Sequence, residues 1–399
     1  MRKLLSLLLI TFLIGCTTNQ VQLKKLDGSE ITKPELTTKI QSLIDSANVT
    51  GLSISVFNDN NVEYQKSFGY SNFNKKDSLT NKTVFYGASF SKAVFGYLVA
   101  QLVTEGIIDL DKPLQDYLDK PLPDFEFEKE WKGYNNLKDD RRYEKITARM
   151  CLTHTTGFPN WRWMTKENDF FREGKIRFLI EPGTRYSYSG EGIKLLQFVL
   201  EKITKKGLEE LAQERIFKPL QMNMTSYIWK KKFEDQFCNG HTMEEKVIPK
   251  DTEDEANAAG SMETTMKDYS KFIEHILKQG EKNSKITKLL LKPNIRIKSK
   301  TQFGFQAWED TDENDKIQLS YGLGWGLLKS PFGQGMFKEG HGEGFQHYSI
   351  IFPEKKIGII ILSNSDNAES IFKELLEITI GDIYTPWKWE RYIPFNNKE

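Results

Sequence analysis

A serine hydroxyl is a poor nucleophile at neutral pH unless a base sits beside it, and a lysine one helical turn away can be that base. Ser89-Phe90-Ser91-Lys92 has this spacing, within Phe85 to Lys92 (FYGASFSK). Residues three apart on a helix are neighbours, so the Lys92 amine meets the Ser89 hydroxyl, and a helix N-terminus favours developing negative charge. The pattern is short. A chain of ordinary composition contains on the order of two Ser-x-x-Lys matches by accident, and a second one runs from Ser370 to Lys373. That second match falls inside a predicted terminal helix and not at a strand-to-helix junction, so it reads as surface.

The elements that must position Ser89 can be read around it. Gly51 to Phe57 (GLSISVF) reads as a strand, and Val62 to Phe68 follows a polar turn as its hairpin partner. From Ser89 to Glu105, apolar residues at Val94, Tyr97, Leu98, Leu102 and Val103 recur at helical spacing, with Gly106 placed to end the helix. Helices are also predicted over Gly192 to Lys205, Met266 to Gln279 and Ala368 to Ile378. Tyr348 to Phe352 and Ile357 to Ser363 form a strand–turn–strand pair around Pro353 to Lys356. Strands, a largely helical insert over roughly 110–300, then strands again imply an α+β domain in which both ends of the chain share one antiparallel sheet.

With these residues in place, the sequence resembles the serine β-lactamase family, especially its class C, D-alanyl-D-alanine peptidase and esterase branches, over about residues 36–380. Ile146 to Pro159 (ITARMCLTHTTGFP), Pro182-Gly183, Tyr186 to Leu196 (YSYSGEGIKLL), Ala259-Gly260 and Tyr321 to Trp325 (YGLGW) are similar to segments common in that family. The resemblance implies a β-lactamase/transpeptidase-like fold with a helical subdomain beside the sheet. It also implies that Ser89 is the nucleophile, Lys92 its base, and Tyr188 a proton relay from a Tyr-x-Asn motif. Gly190 stands where that motif has Asn, and it has no side chain to hold a substrate amide. The third family motif, Lys-Thr-Gly, matches Lys338-Glu339-Gly340, because Phe345 and Pro353 then follow at the family's spacing. Lys338 becomes the cation of the site, and Gly340 is expected to let substrate backbone approach closely. Glu339 replaces a hydroxyl residue, and facing the site it would repel a substrate carboxylate. The resemblance further implies an oxyanion hole made by the N–H groups of Ser89 and His341.

The remaining chemistry-bearing residues read more plainly. His154 lies in a segment that is structural in the family; His341 and His347 flank the site, His341 mainly as backbone. Cys151 reads as core, and it and Cys238 could pair. No Cys/His spacing suits zinc, and neither metal nor organic cofactor is implied. At the start, Arg2 and Lys3 precede the apolar run Leu4 to Ile14, too short to span a bilayer, and Leu13-Ile14-Gly15-Cys16 resembles a lipobox whose cysteine is lipidated. The expected organisation is a signal peptide over 1–16, a flexible tether over 17–35, a hydrolase domain over 36–385, and a tail over 386–399. The Trp- and Tyr-rich stretch Tyr384 to Phe395 is packing or a lip over the site. The expected setting is the bacterial cell envelope, lipid-anchored and periplasmic or surface-facing.

A hydrophobic fraction of 38% supports a sizeable core, and a formal charge of +1 gives no reason to expect nucleic acid. The function expected is a serine hydrolase acting on a peptide, amide or ester. The alternatives are a β-lactamase or penicillin-binding D-alanyl-D-alanine carboxypeptidase, and a non-catalytic surface-binding or sensor protein that kept the fold.

Overall fold

In the computed structural model, residues 22–166 and 169–397 are described. The hairpin β1 (Gln22–Lys24) and β2 (Glu30–Thr32) leads into α1 (Lys33–Ala47), capped by the Thr32 hydroxyl and opened by Pro34. Then come β3 (Gly51–Asn58), β4 (Asn61–Asn72), β5 (Asp77–Ser78), β6 (Val84–Tyr86) and the central helix α2 (Phe90–Thr104). The insert carries α3 (Ala148–Leu152), α4 (Gly190–Thr204), α5 (Leu208–Ala212), β7 (Gly240–His241) and β8 (Val247–Ile248). It continues with β9 (Glu263–Thr265), α6 (Met266–Glu281) and α7 (Lys285–Leu290). The chain closes with β10 (Ile295–Arg296), β11 (Ser320–Tyr321), β12 (Gly326–Ser330), β13 (Gly333–Gly342), β14 (Phe345–Phe352), β15 (Ile357–Ser363) and α8 (Phe372–Thr379).

The main sheet is antiparallel, with strand order β10-β11-β12-β13-β14-β15-β3-β4-β5. The expected meeting of the two chain ends is the β15–β3 ladder, in which Ile361 lies opposite Ile54. Side chains alternate between two apolar layers, as strand geometry requires. Ile360 and Leu362 face a core with α2, α4 and α6, whereas Ile359 and Ile361 face a second core with α1 and α8. Almost every side chain of α2 is buried, which explains why its apolar residues go all round and not along one stripe.

The second core corrects two domain boundaries. The tether expected over 17–35 is folded from Gln22 onward, because Leu23, Leu26 and Ile31 are all buried against the outer face of the sheet. Three apolar residues spaced among polar ones were enough to anchor a segment whose average composition looked like linker. Likewise the stretch after 385 is part of the domain: Trp389 is fully buried, its indole N–H donates to Ser299 (3.1 Å), and Trp387 packs on Tyr348. It is packing and not a lip. The signal peptide expected over 1–16, with Cys16, and residues 17–21 lie outside the described residues.

Candidate active site

Ser89 sits at the mouth of α2 on a tight turn that other segments hold in place. Gly87 N–H donates to Met262 O (2.7 Å), and Phe90 N–H reaches back to Gly87 O (3.0 Å). Between them Ala88 adopts φ 45°, a left-handed conformation that is strained for a residue with a Cβ. Ser91 locks the other side, donating to Ala88 O (2.6 Å) and accepting from Met262 N–H (3.0 Å). The helix is drawn against the β11–β12 turn by two glycines in mutual contact. A Cβ on Gly96 would lie 2.4 Å from Leu323 O, and one on Gly324 would lie 2.7 Å from Lys92 O.

One turn along, Lys92 Nζ donates to Ser89 Oγ at 3.0 Å and to Ala259 O at 2.5 Å. The amine is buried, and that burial, with Lys338 nearby, holds its pKa well below the ordinary lysine value. The shift favours the uncharged amine, the form that can act as a general base toward a serine hydroxyl.

Tyr188 is placed by the segment that carries His154. The His154 ring lies 4.2 Å from the Tyr188 ring, Ser187 N–H donates to His154 O (2.8 Å), and Ser189 N–H donates to His154 Nδ1 (3.1 Å). Ser189 then caps α4 by accepting from Gly192 N–H (2.9 Å). Burial holds His154 well below its ordinary pKa, so it is neutral scaffolding, as expected of its segment. The Tyr188 ring stands between two lysine side-chain nitrogens: Lys92 Nζ is 5.0 Å and Lys338 Nζ 5.2 Å from its centroid. Lys338 also donates to the Tyr188 oxygen at 3.2 Å. Burial raises the Tyr188 pKa even though Lys338 opposes it, so Tyr188 is a neutral phenol.

The third motif reaches the candidate site because of where β12 stops. The β12–β13 ladder ends at Gly326 opposite Phe337, so on that side β13 continues past its neighbour from Lys338 to Gly342. The structure therefore brings Ser89, Lys92, Tyr188 and Lys338 together. It also supplies details the sequence did not carry. Glu339 is buried and ion-paired with its own neighbour, Lys338 Nζ to Glu339 Oε1 at 2.7 Å, and Gln302 Nε2 donates to the same oxygen at 2.7 Å. Burial opposes both charges. The pairing prevails, with Lys338 held above and Glu339 below its ordinary pKa.

Two glycines of the candidate site, Gly340 and Gly190, lie in close packing. At Gly340 the space that a side chain would need is taken. A Cβ there would meet His347 Cδ2 (3.2 Å), Gly87 O (3.3 Å) and Phe90 Cδ1 (3.3 Å), so its missing side chain lets β13 close on the nucleophile's turn. Gly190 opens α4, and its neighbouring space is filled by Asn160, whose Oδ1 accepts Gly190 N–H at 3.1 Å. Behind it a buried ion pair joins Arg162 to Glu191 at 2.7 Å. His341 is 40% exposed at the end of β13, 3.4 Å from Glu369, which raises its pKa although desolvation works against the charge. His347 is buried, between Tyr86 O and Ser363 N–H. Cys151 and Cys238 are buried free thiols and do not pair. Ser370, of the second Ser-x-x-Lys, donates to Asn367 O (2.6 Å), and Lys373 pairs with Glu377. No group of three His, Cys, Asp or Glu side chains suited to a metal occurs among the described residues.

A sequence-family model described as Beta-lactamase matches residues 36–378. The protein flp of Staphylococcus aureus (strain MW2) is 22% identical over 339 residues, an alignment covering 83% of this chain and 62% of that protein. The chain thus spans about three fifths of the length of these relatives. An uncharacterized protein of Alkalihalophilus pseudofirmus is 27% identical over 190 residues, 47% of each chain. Among solved structures, the octameric penicillin-binding protein homologue from Pyrococcus abyssi superposes with TM-score 0.67 at 22% identity, covering 90% of this chain and 79% of that one. The D-alanine carboxypeptidase AmpC from Burkholderia cenocepacia gives TM-score 0.64 at 18% identity, covering 83% and 93%. The fold is therefore the β-lactamase/transpeptidase-like α+β architecture.

Proposed function

The chain belongs to the beta-lactamase family, and from that premise we propose that it is a serine hydrolase working through an acyl-enzyme on Ser89. The observation that carries this reading is the 3.0 Å contact between a buried, low-pKa Lys92 amine and the Ser89 hydroxyl. Lys92 takes the hydroxyl proton as Ser89 Oγ attacks the substrate carbonyl carbon. The N–H groups of Ser89 and His341 receive the developing oxyanion. As the tetrahedral intermediate collapses, the proton passes to the leaving oxygen or nitrogen through the Tyr188 phenol, which Lys338 keeps oriented. Water then attacks the ester carbonyl, Lys92 and Tyr188 take its proton, and that proton passes to Ser89 Oγ as the acyl group leaves as the acid.

The substrate class is a peptide, amide or ester, with peptidase or esterase turnover ahead of efficient β-lactamase turnover. Gly190 supplies no carboxamide, and the Lys338 charge is already shared with Glu339. The test is intact-mass spectrometry of the domain with a small ester and with a penicillin, alongside Ser89→Ala. An adduct or turnover that needs Ser89 supports the reading; turnover indifferent to Ser89→Ala removes Ser89 as the nucleophile, and the absence of both adduct and turnover with either compound favours the binding protein. We also propose lipid anchoring through Cys16 in the bacterial envelope, on the lipobox-like Leu13 to Cys16. Cys16→Ala should move the protein out of the membrane fraction, and unchanged partitioning refutes the anchor.

A further inference from the structure

We infer that the site selects substrates that are uncharged and apolar on the leaving-group side, and discriminates against those bearing a carboxylate there. The inference rests on the acyl-enzyme reading above and deepens it. Its first support is the charge of the third motif. Lys338 and Glu339 are both fully buried and in contact at 2.7 Å, and Gln302 adds a second donor to the same carboxylate oxygen. An incoming carboxylate would find the ammonium compensated and a like charge beside it, in a region where water screens little. The other Glu339 oxygen is buried without a partner among the described residues, so the field a ligand meets there leans negative. The next side chain along the strand able to carry a positive charge, His341, lies 3.4 Å from the Glu369 carboxylate, which compensates it when protonated.

The second support is steric and comes from the same loop as Gln302. The next residue, Phe303, sets its ring edge-on to Tyr188 at 5.1 Å while remaining 38% exposed. A half-exposed aromatic wall against the proton relay suits an apolar leaving group, and its desolvation favours neutral over charged ones. The loop is fixed and not adventitious. Gln302 N–H donates to Trp389 O (2.9 Å), the Thr301 hydroxyl to Phe303 O (2.9 Å), and Gly304 turns the chain at φ 80°.

The test is a matched pair, phenyl acetate and 3-carboxyphenyl acetate, whose phenol leaving groups are of similar acidity. Wild type should show kcat/KM at least about tenfold higher for the neutral ester, roughly one pair-interaction's worth of repulsion. Glu339→Gln should shift that ratio at least about tenfold toward the carboxylated ester, and Phe303→Ala should raise KM for phenyl acetate more than it lowers kcat. Equal or preferred turnover of the carboxylated ester by wild type overturns the inference while leaving the hydrolase standing. That comparison needs no variant, so a Glu339→Gln protein that fails to fold does not rescue it. Turnover of neither ester overturns the esterase side of the hydrolase reading, and the selectivity with it.

Discussion

At the scale of single residues, the chemistry follows from two opposite pKa displacements within one hydrogen-bonded group. Burial pushes Lys92 down and Tyr188 up, which favours amine over ammonium at Lys92 and phenol over phenolate at Tyr188. In the proposed mechanism the productive form of Lys92 is deprotonated, so ester kcat/KM should rise with pH through an ionisation below the ordinary lysine range and then level off. A profile still climbing near the lysine reference of about 10.4 would assign the base elsewhere. Tyr188→Phe should cut kcat by about 10² to 10⁴ with little change in KM, the usual scale of a lost proton-transfer group. Ser89 and Lys92 were legible because i,i+3 spacing on a helix is itself a contact. The Lys338–Glu339 pair was not, because neighbours on a strand ordinarily point to opposite faces. Nor was Phe303, which only the return of a distant loop brings against Tyr188.

At the scale of elements, the site depends on close approaches that glycines permit. Gly190 stands where the family motif has Asn, and in the fold the space beside it is taken. A Cβ at Gly190 would come within 2.6 Å of Asn160 O and 3.0 Å of its side-chain oxygen. The Asn160 segment cannot retreat easily, since Arg162, two residues on, is tied to buried Glu191 and to Gly133 O (3.1 Å). Gly190→Asn should therefore not create the family motif; it should destabilise the domain by about 1–3 kcal/mol, as overpacking does, and lower ester turnover. A variant with unchanged melting temperature and improved turnover would refute the steric account. The same logic runs through Gly96 and Gly324, whose contact sets how far α2 carries Ser89 toward β13. Sequence periodicity locates such helices within a residue or two, but backbone-to-backbone contacts between remote segments leave no periodic trace.

At the scale of the whole molecule, the sheet has a core on each face, and both ends of the described chain close the outer one. Trp389 packs against Phe337 and Tyr186, the latter two residues before Tyr188, so the tail braces the site from behind. Trp389→Ala should cost about 3–5 kcal/mol, visible as a lower urea midpoint, and a neutral result would show the tail to be dispensable. The inner core is joined to the sheet by His347. Its Nε2–H donates to Tyr86 O (2.8 Å), just before the nucleophile's turn, and its Nδ1 accepts Ser363 N–H (3.2 Å) from β15. Burial pushes the His347 pKa down to about 4. Protonating Nδ1 would set one N–H against another, and the unfolded chain, with an ordinary histidine near 6.5, takes the proton first. The sign follows: stability is full above about pH 6.5 and falls as pH drops toward about 4, by about 3 kcal/mol from this residue. Buried His154 contributes in the same direction. Urea midpoints measured between about pH 7.5 and pH 4.5 should decline, and His347→Gln should flatten part of the decline while starting from a lower midpoint. A midpoint flat across that window in wild type would mean that His347 takes up its proton without losing either bond, and the joint between the nucleophile's turn and the sheet would need another explanation.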